Sequence, residues 1–194
     1  MGRPRYGDPK SDRLHRLAHA VGSVHSSMLL ASLAHQRFRL EHAAMTFEEP
    51  EQRVQRYLHQ YMPLSAAMGV QVRTATIEQV KLAAPLAPNV NHTETVFGGS
   101  AAALATLSAW TLLHLRLEEA RLGARLVIQR SRMEYEKPIP GDFEAVCHFG
   151  DNVAWERFRM TLARHGRARL TLDAHLMHLT HRVAFFEGDF VALG

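Results

Sequence analysis

Asn89-Val90-Asn91-His92-Thr93-Glu94-Thr95-Val96-Phe97-Gly98-Gly99-Ser100, with the apolar run Ala101–Leu117 behind it, decides how the rest of this 194-residue chain is read. The first part has the chemistry of a loop. It is polar, carries the Gly98-Gly99 pair, follows Pro85 and Pro88, and fits no regular period. The second part predicts a helix of about five to six turns from near Gly99 to Leu122. Ser100 reads as its N-cap and Gly123 as the residue just past its end. From Ala101 to Leu115 almost no polar face is left, and a helix apolar all round is enclosed by protein or lipid. Thr106, Ser108, Thr111, His114 and Arg116 interrupt it too often for a membrane span, so it is expected to be buried in protein.

A glycine-bearing loop feeding a helix start has a physical use. The first N–H groups of a helix lack internal partners and sit at the positive end of its dipole. Glycines there let a ligand oxygen approach the backbone, so the junction can hold an anion or a polarised carbonyl.

Outward from this stretch, the chain divides by charge. Residues 1–44 carry seven Arg or Lys against three acids and hold the whole net charge of +4. They read as a basic extension, more simply a flexible tail than a transit segment. Residues 45–194 then contain sixteen basic and sixteen acidic residues. This neutral domain has no nucleic-acid footprint. The single Cys147 excludes an internal disulfide and fits a reducing compartment, and no apolar signal core opens the chain, so a cytoplasmic location is expected.

Glu48–Tyr61 has helical spacing (Val54, Tyr57, Leu58, Tyr61), ended by Pro63, with Leu64–Met68 as an apolar connector. Val70–Thr76 and Val80–Ala84 alternate as a strand pair. After Gly123 the chain reads as β to its end: Leu126–Glu136, Phe143–Phe149, Trp155–Ala163 and Ala168–Leu179, parted by Pro138-Ile139-Pro140-Gly141, Gly150-Asp151-Asn152 and His165-Gly166. Strands on both sides of one buried helix predict an α+β fold, an antiparallel sheet of about five to six strands wrapped around the helix.

That order, with Asn89-x-Asn91-His92-x-x-x-x-Phe97-Gly98-Gly99-Ser100-x-x-x-Leu104-Ala105-Thr106-Leu107, resembles the hotdog-fold thioesterase superfamily. More narrowly, residues 47–193 resemble the thioesterase domain found at the C-terminus of certain bacterial acetyltransferases and as a stand-alone protein. The resemblance implies a homodimer made by joining sheets, an acyl-coenzyme A or acyl-carrier-protein thioester as substrate, and carbonyl polarisation at the Gly-Gly turn.

Thioester hydrolysis needs an oxyanion site and a carboxylate or an activated water. The amides near Gly98, Gly99 and Ser100 are candidates for the first. Asn91, His92 and Glu94 are the candidate side chains for the second, with Asn89, Phe97, Ser100 and Thr106 as substrate-contacting positions. Many relatives place Asp or Glu on the helix about two turns after the glycines; here that position is Thr106, which is no base at neutral pH. The missing acid keeps two alternatives open. Malonyl-carrier-protein decarboxylation needs no base for bond cleavage, and a non-catalytic thioester-binding module needs none at all. Ser108 and His114 read as core residues first. His175, His178 and His181 are badly spaced for one ligand set on a strand, so no metal or other cofactor is expected. Arg157, Arg159, Arg164, Arg167 and Arg169 form a basic stretch suited to a phosphate or an acidic carrier.

Overall fold

A computed structural model describes residues 49–194; the basic extension read in residues 1–44 lies outside the described residues. Helix α1 (Pro50–Tyr61) opens on a proline that suits the first turn, and buries Val54 and Leu58. Where an apolar connector is expected, Pro63 starts a second short helix, α2 (Pro63–Ala67), because a proline ends one helix and fits the N1 position of the next equally well. Gly69, in the left-handed region at φ 67°, turns the chain into the sheet.

The strands are β1 (Gln71–Ala75), β2 (Gln79–Ala84), β3 (Arg125–Tyr135), β4 (Phe143–His148), β5 (Arg167–His178) and β6 (His181–Leu193). They form one antiparallel six-stranded sheet in the order β1-β2-β4-β5-β6-β3. Helix α3 (Gly98–Glu119) is the expected long central helix and packs on β2, β4 and β5. Twelve of its residues are buried, among them Leu104, Leu112 and Leu113 with no exposure at all. Each such leucine contributes about 1.5–3 kcal/mol by leaving water. Strand β5 supplies the facing surface by strict alternation: Ala168, Leu170, Leu172, Ala174 and Leu176 are buried, while Arg167, Arg169, Thr171 and Asp173 are exposed.

Two details of α3 correct the sequence reading. Its N-cap is Phe97, not Ser100, and no side chain caps it. Its end is turned by Arg121 at φ 54°, two residues before Gly123.

The larger correction is Trp155–Ala163, expected as a strand and folded as part of helix α4 (Asn152–His165). Its Trp155, Phe158 and Leu162 are buried at helical spacing. The Asp151 side chain accepts from the Ala154 N–H at 2.9 Å as N-cap, and Gly166 closes the helix at φ 64° with its N–H on Leu162 O at 2.8 Å. β4 and β5 pair only over Glu144–Val146 and His175–Met177; beyond that α4 lies against β5 where β4 would have continued.

The two rims of the sheet differ. At β1, the Val72 N–H donates to Gln55 Oε1 at 3.0 Å and His59 Nε2 donates to Val70 O at 2.8 Å, so α1 side chains occupy backbone groups of the outer strand. At β3, Val127 and Ile128 are 46% and 39% exposed, and β6 is its only strand partner among the described residues.

Candidate active site

The loop before α3 is built by its asparagines. Asn89 is 1% exposed; its Nδ2 donates to Met68 O at 2.9 Å and Pro85 O at 2.8 Å, and its main-chain carbonyl accepts from the Phe97 N–H at 2.7 Å. One buried residue, through its side-chain amide and its main-chain carbonyl, therefore ties the end of α2, the end of β2 and the start of α3 together. Asn91 organises the tip. Its Oδ1 accepts from Thr93 N–H at 2.8 Å and Thr93 Oγ1 at 2.7 Å, while Nδ2 donates to Thr95 Oγ1 at 3.1 Å and Val96 O at 3.3 Å. Every polar atom of that side chain is engaged inside the loop. His92 and Glu94 stand at the tip and are exposed. Glu94 holds φ 60°, a left-handed conformation that costs a non-glycine residue about 1–2 kcal/mol. The loop is anchored from outside by Val96 N–H on Ile139 O at 2.9 Å.

At the helix start, the first intrahelical hydrogen bond runs from Ala101 N–H to Phe97 O at 3.1 Å. The amides of Gly98, Gly99 and Ser100 precede it, at the positive end of a 22-residue helix, with no side-chain cap. The Phe97 ring, 57% exposed, lies over Gly99 so closely that a Cβ there would overlap its Cε1. Gly99 is needed for that approach. On the other side the Tyr135 hydroxyl donates to Gly98 O at 2.8 Å. That carbonyl belongs to the same peptide unit as the Gly99 N–H, so the tyrosine polarises the Gly99 donor. Tyr135 was not among the residues singled out in the sequence. It ends a charged strand 37 residues from Gly98, and the strand's alternation says nothing of where its last side chain lands.

From Gly99 the half-buried face of α3 continues through Ala102, Ala103, Thr106, Trp110 and His114. The Thr106 hydroxyl is turned back onto Ala102 O at 2.9 Å. Trp110 Nε1 donates to Leu126 O at 3.2 Å, and its ring stacks on His114 at 4.8 Å, with Tyr57 5.0 Å from the imidazole. Burial lowers the His114 pKa below the ordinary histidine value; Glu118, 3.4 Å away, opposes this and Arg53 adds to it. Ser108 is fully buried and donates to Val80 O at 3.1 Å, joining α3 to β2. Burial pushes the Cys147 thiol up to about 12, with Asp173 adding to the effect, so it is inert as a nucleophile. Among the described residues no group of three His, Cys, Asp or Glu is placed to hold a metal ion, and no helix is long and apolar enough to cross a membrane.

The protein's relatives agree with this architecture. A protein of unknown function from Chlorobaculum tepidum TLS superposes with a TM-score of 0.69 at 26% identity, covering 74% of this chain and 93% of its own. A "putative thioesterase" from Shewanella oneidensis gives a TM-score of 0.66 at 23% identity over 74% and 97% of the two chains. A "probable thioesterase" of unknown function from Pseudomonas aeruginosa gives 0.64 at 18% identity over 73% and 95%. The model of the family "Putative thioesterase (yiiD_Cterm)" matches residues 51–194, loop, central helix and sheet together. On that match the chain belongs to this family of hotdog-fold proteins, whose general chemistry is thioester hydrolysis.

Proposed function

We propose that this protein hydrolyses acyl thioesters of coenzyme A or of an acyl carrier protein, with the Gly98–Ser100 amides as its oxyanion site. The observation that carries this reading is the uncapped start of α3, where Tyr135 on Gly98 O polarises the peptide that bears the Gly99 N–H. Attack on the thioester carbonyl builds negative charge on its oxygen, and donors fixed beforehand at that spot lower the barrier. The acyl chain lies along the half-buried face past Ala102, Ala103 and Thr106 toward Trp110. His92 and Glu94 at the loop tip are the groups available to activate water. Asn89 and Asn91 position the loop, and Phe97 and Ser100 line the thioester. The dimer forms by pairing the exposed β3 rims of two copies, and the protein works in the cytoplasm, where its carriers are.

One observation favours a second reaction at the same turn. From Val96 to Leu117 the chain has no carboxylate, and Glu118, the first, lies about 30 Å along α3 from Gly98. Malonyl-thioester decarboxylation needs none: the bond from the α-carbon to the carboxylate breaks, carbon dioxide leaves, and the electron pair passes into a thioester enolate held by the same amides. Solvent then protonates the α-carbon.

Mass spectrometry of products from the full chain, incubated with malonyl and longer acyl thioesters, tests both. Free thiol means hydrolysis, and acetyl thioester from the malonyl substrate means decarboxylation. Unchanged substrate across the panel, with ligand bound, overturns both and leaves a thioester-binding module.

A further inference from the structure

The parting of β4 and β5 encloses a cavity of about 570 Å³ far from the Gly98 turn. One wall is α4, through Arg157, Phe158 and Thr161; the other is the outward face of β5 and β6, through Arg169, Asp173 and Glu187. Its volume lies in the range of about 300–1,000 Å³ typical of small-molecule sites. Two features of its charge stand out. Asp173 and Glu187 are register partners, so two carboxylates face each other across neighbouring strands, which destabilises a sheet unless something compensates them. From Arg157 through Leu172 the chain carries five arginines and no acid; among the described residues Arg159 pairs with Glu156 at 2.7 Å, and Arg169 acts on Asp189 only through its field. Arg157, Arg169, Asp173 and Glu187 enter no ion pair among the described residues.

A simple anion would be repelled by the paired carboxylates, and a simple cation by the arginines. The lining matches a molecule with a phosphate at one end, for bidentate guanidinium contact, and hydroxyl or amine donors at the other. Phe149 and Phe158 supply the apolar wall between. We propose that this cavity binds a nucleoside phosphate, its phosphates on Arg157 and Arg169 and its sugar hydroxyls on Asp173 and Glu187. Two sources share that chemistry: the nucleotide end of coenzyme A, or a free nucleotide acting as an effector. Phe149 sits against Arg116, and residues 98–116 of α3 span about 27 Å.

Isothermal titration of the full chain with adenosine 3′,5′-bisphosphate, ADP and pyrophosphate tests the site without any assay of turnover. Saturable nucleotide binding is expected, weakened roughly tenfold or more by Arg157→Glu and by Arg169→Glu. Asp173→Asn is expected to weaken the nucleotides and to spare or improve pyrophosphate. Preference for the bisphosphate, with Arg169→Glu raising KM for acyl-coenzyme A and not for acyl-pantetheine, identifies the carrier. Equal or better binding of ADP with both KM values unchanged identifies the effector. No saturable binding of either nucleotide at millimolar concentration overturns the proposal. So does binding indifferent to both charge reversals in variants that melt with the parent.

Discussion

Replacing Tyr135 by Phe isolates the polarised peptide from the rest of the site. The substitution removes one hydroxyl, the donor 2.8 Å from Gly98 O, and leaves the ring that packs beside Gly98. An oxyanion donor is worth about 2.7–4 kcal/mol in the transition state, and a hydrogen bond further along a chain strengthens it by about 10–30%. The expected loss is therefore about 0.3–1.2 kcal/mol of barrier lowering, roughly a twofold to eightfold fall in kcat. KM should hold, because the interaction grows as charge develops. Stability should fall by no more than about 0.5–1 kcal/mol, since Tyr135 is 57% exposed and water can take its place on the carbonyl. Steady-state kinetics on whichever thioester is turned over, run beside thermal unfolding, reads both quantities. An unchanged kcat in Tyr135→Phe would refute the reasoning, as would a loss that appears only where the protein has begun to melt.

Four further expectations concern the loop, the central helix and the open rim. Glu94→Gly relieves the left-handed strain and should stabilise the fold by about 0.5–1 kcal/mol. The same variant should lose hydrolysis if Glu94 activates water and keep decarboxylation, so one protein separates the two reactions. Asn89→Ala strands the buried Met68 carbonyl and the half-buried Pro85 carbonyl and should cost about 1–4 kcal/mol by denaturant melts. Asn89→Asp should cost more at neutral pH, since a carboxylate would then face Met68 O and Pro85 O. His114 has its folded pKa below the unfolded value, so the unfolded chain binds more protons and stability falls as pH drops from about 6.5 toward the folded value. His114→Gln should flatten that part of the stability–pH curve; an unaltered slope would contradict it. Val127→Lys with Ile128→Lys should turn a dimer into a monomer by light scattering while leaving the monomer folded.

The fold was legible because its strongest signals are patterns of burial. A run such as Ala101–Leu115 has only one soluble solution, and β5 alternates too strictly to be anything but a strand with one face on that helix. Helix α4 was missed although its signals are all present: Asp151 before it, Trp155, Phe158 and Leu162 at helical spacing, Arg164 and His165 in the last turn, Gly166 after it. Arg157 and Arg159 imposed a false alternation on a segment flanked by strands. The site was legible as a place and not as a set of roles. Asn, His, Thr and Glu in one loop say that polar groups gather there. Whether Asn91 faces a substrate or spends its hydrogen bonds on its own loop depends on backbone turns that composition does not specify. Tyr135 depends on the register of β3 against α3, a relation between elements carried by no short motif.

The rim of β1, where Gln55 and His59 occupy backbone groups, limits what the protein can assemble into. A sheet open at both ends has a valence of two and can add copies indefinitely, as cross-β fibrils do. Here α1 takes the Val72 N–H and the Val70 carbonyl, while β3 has β6 as its only strand partner among the described residues; on the proposed reading, a two-fold pairing at β3 would then close the assembly. Two side chains of α1 thus act as a chain terminator, and exposing the β1 rim by substituting both should be read in the aggregation rate before it is read in the melting temperature.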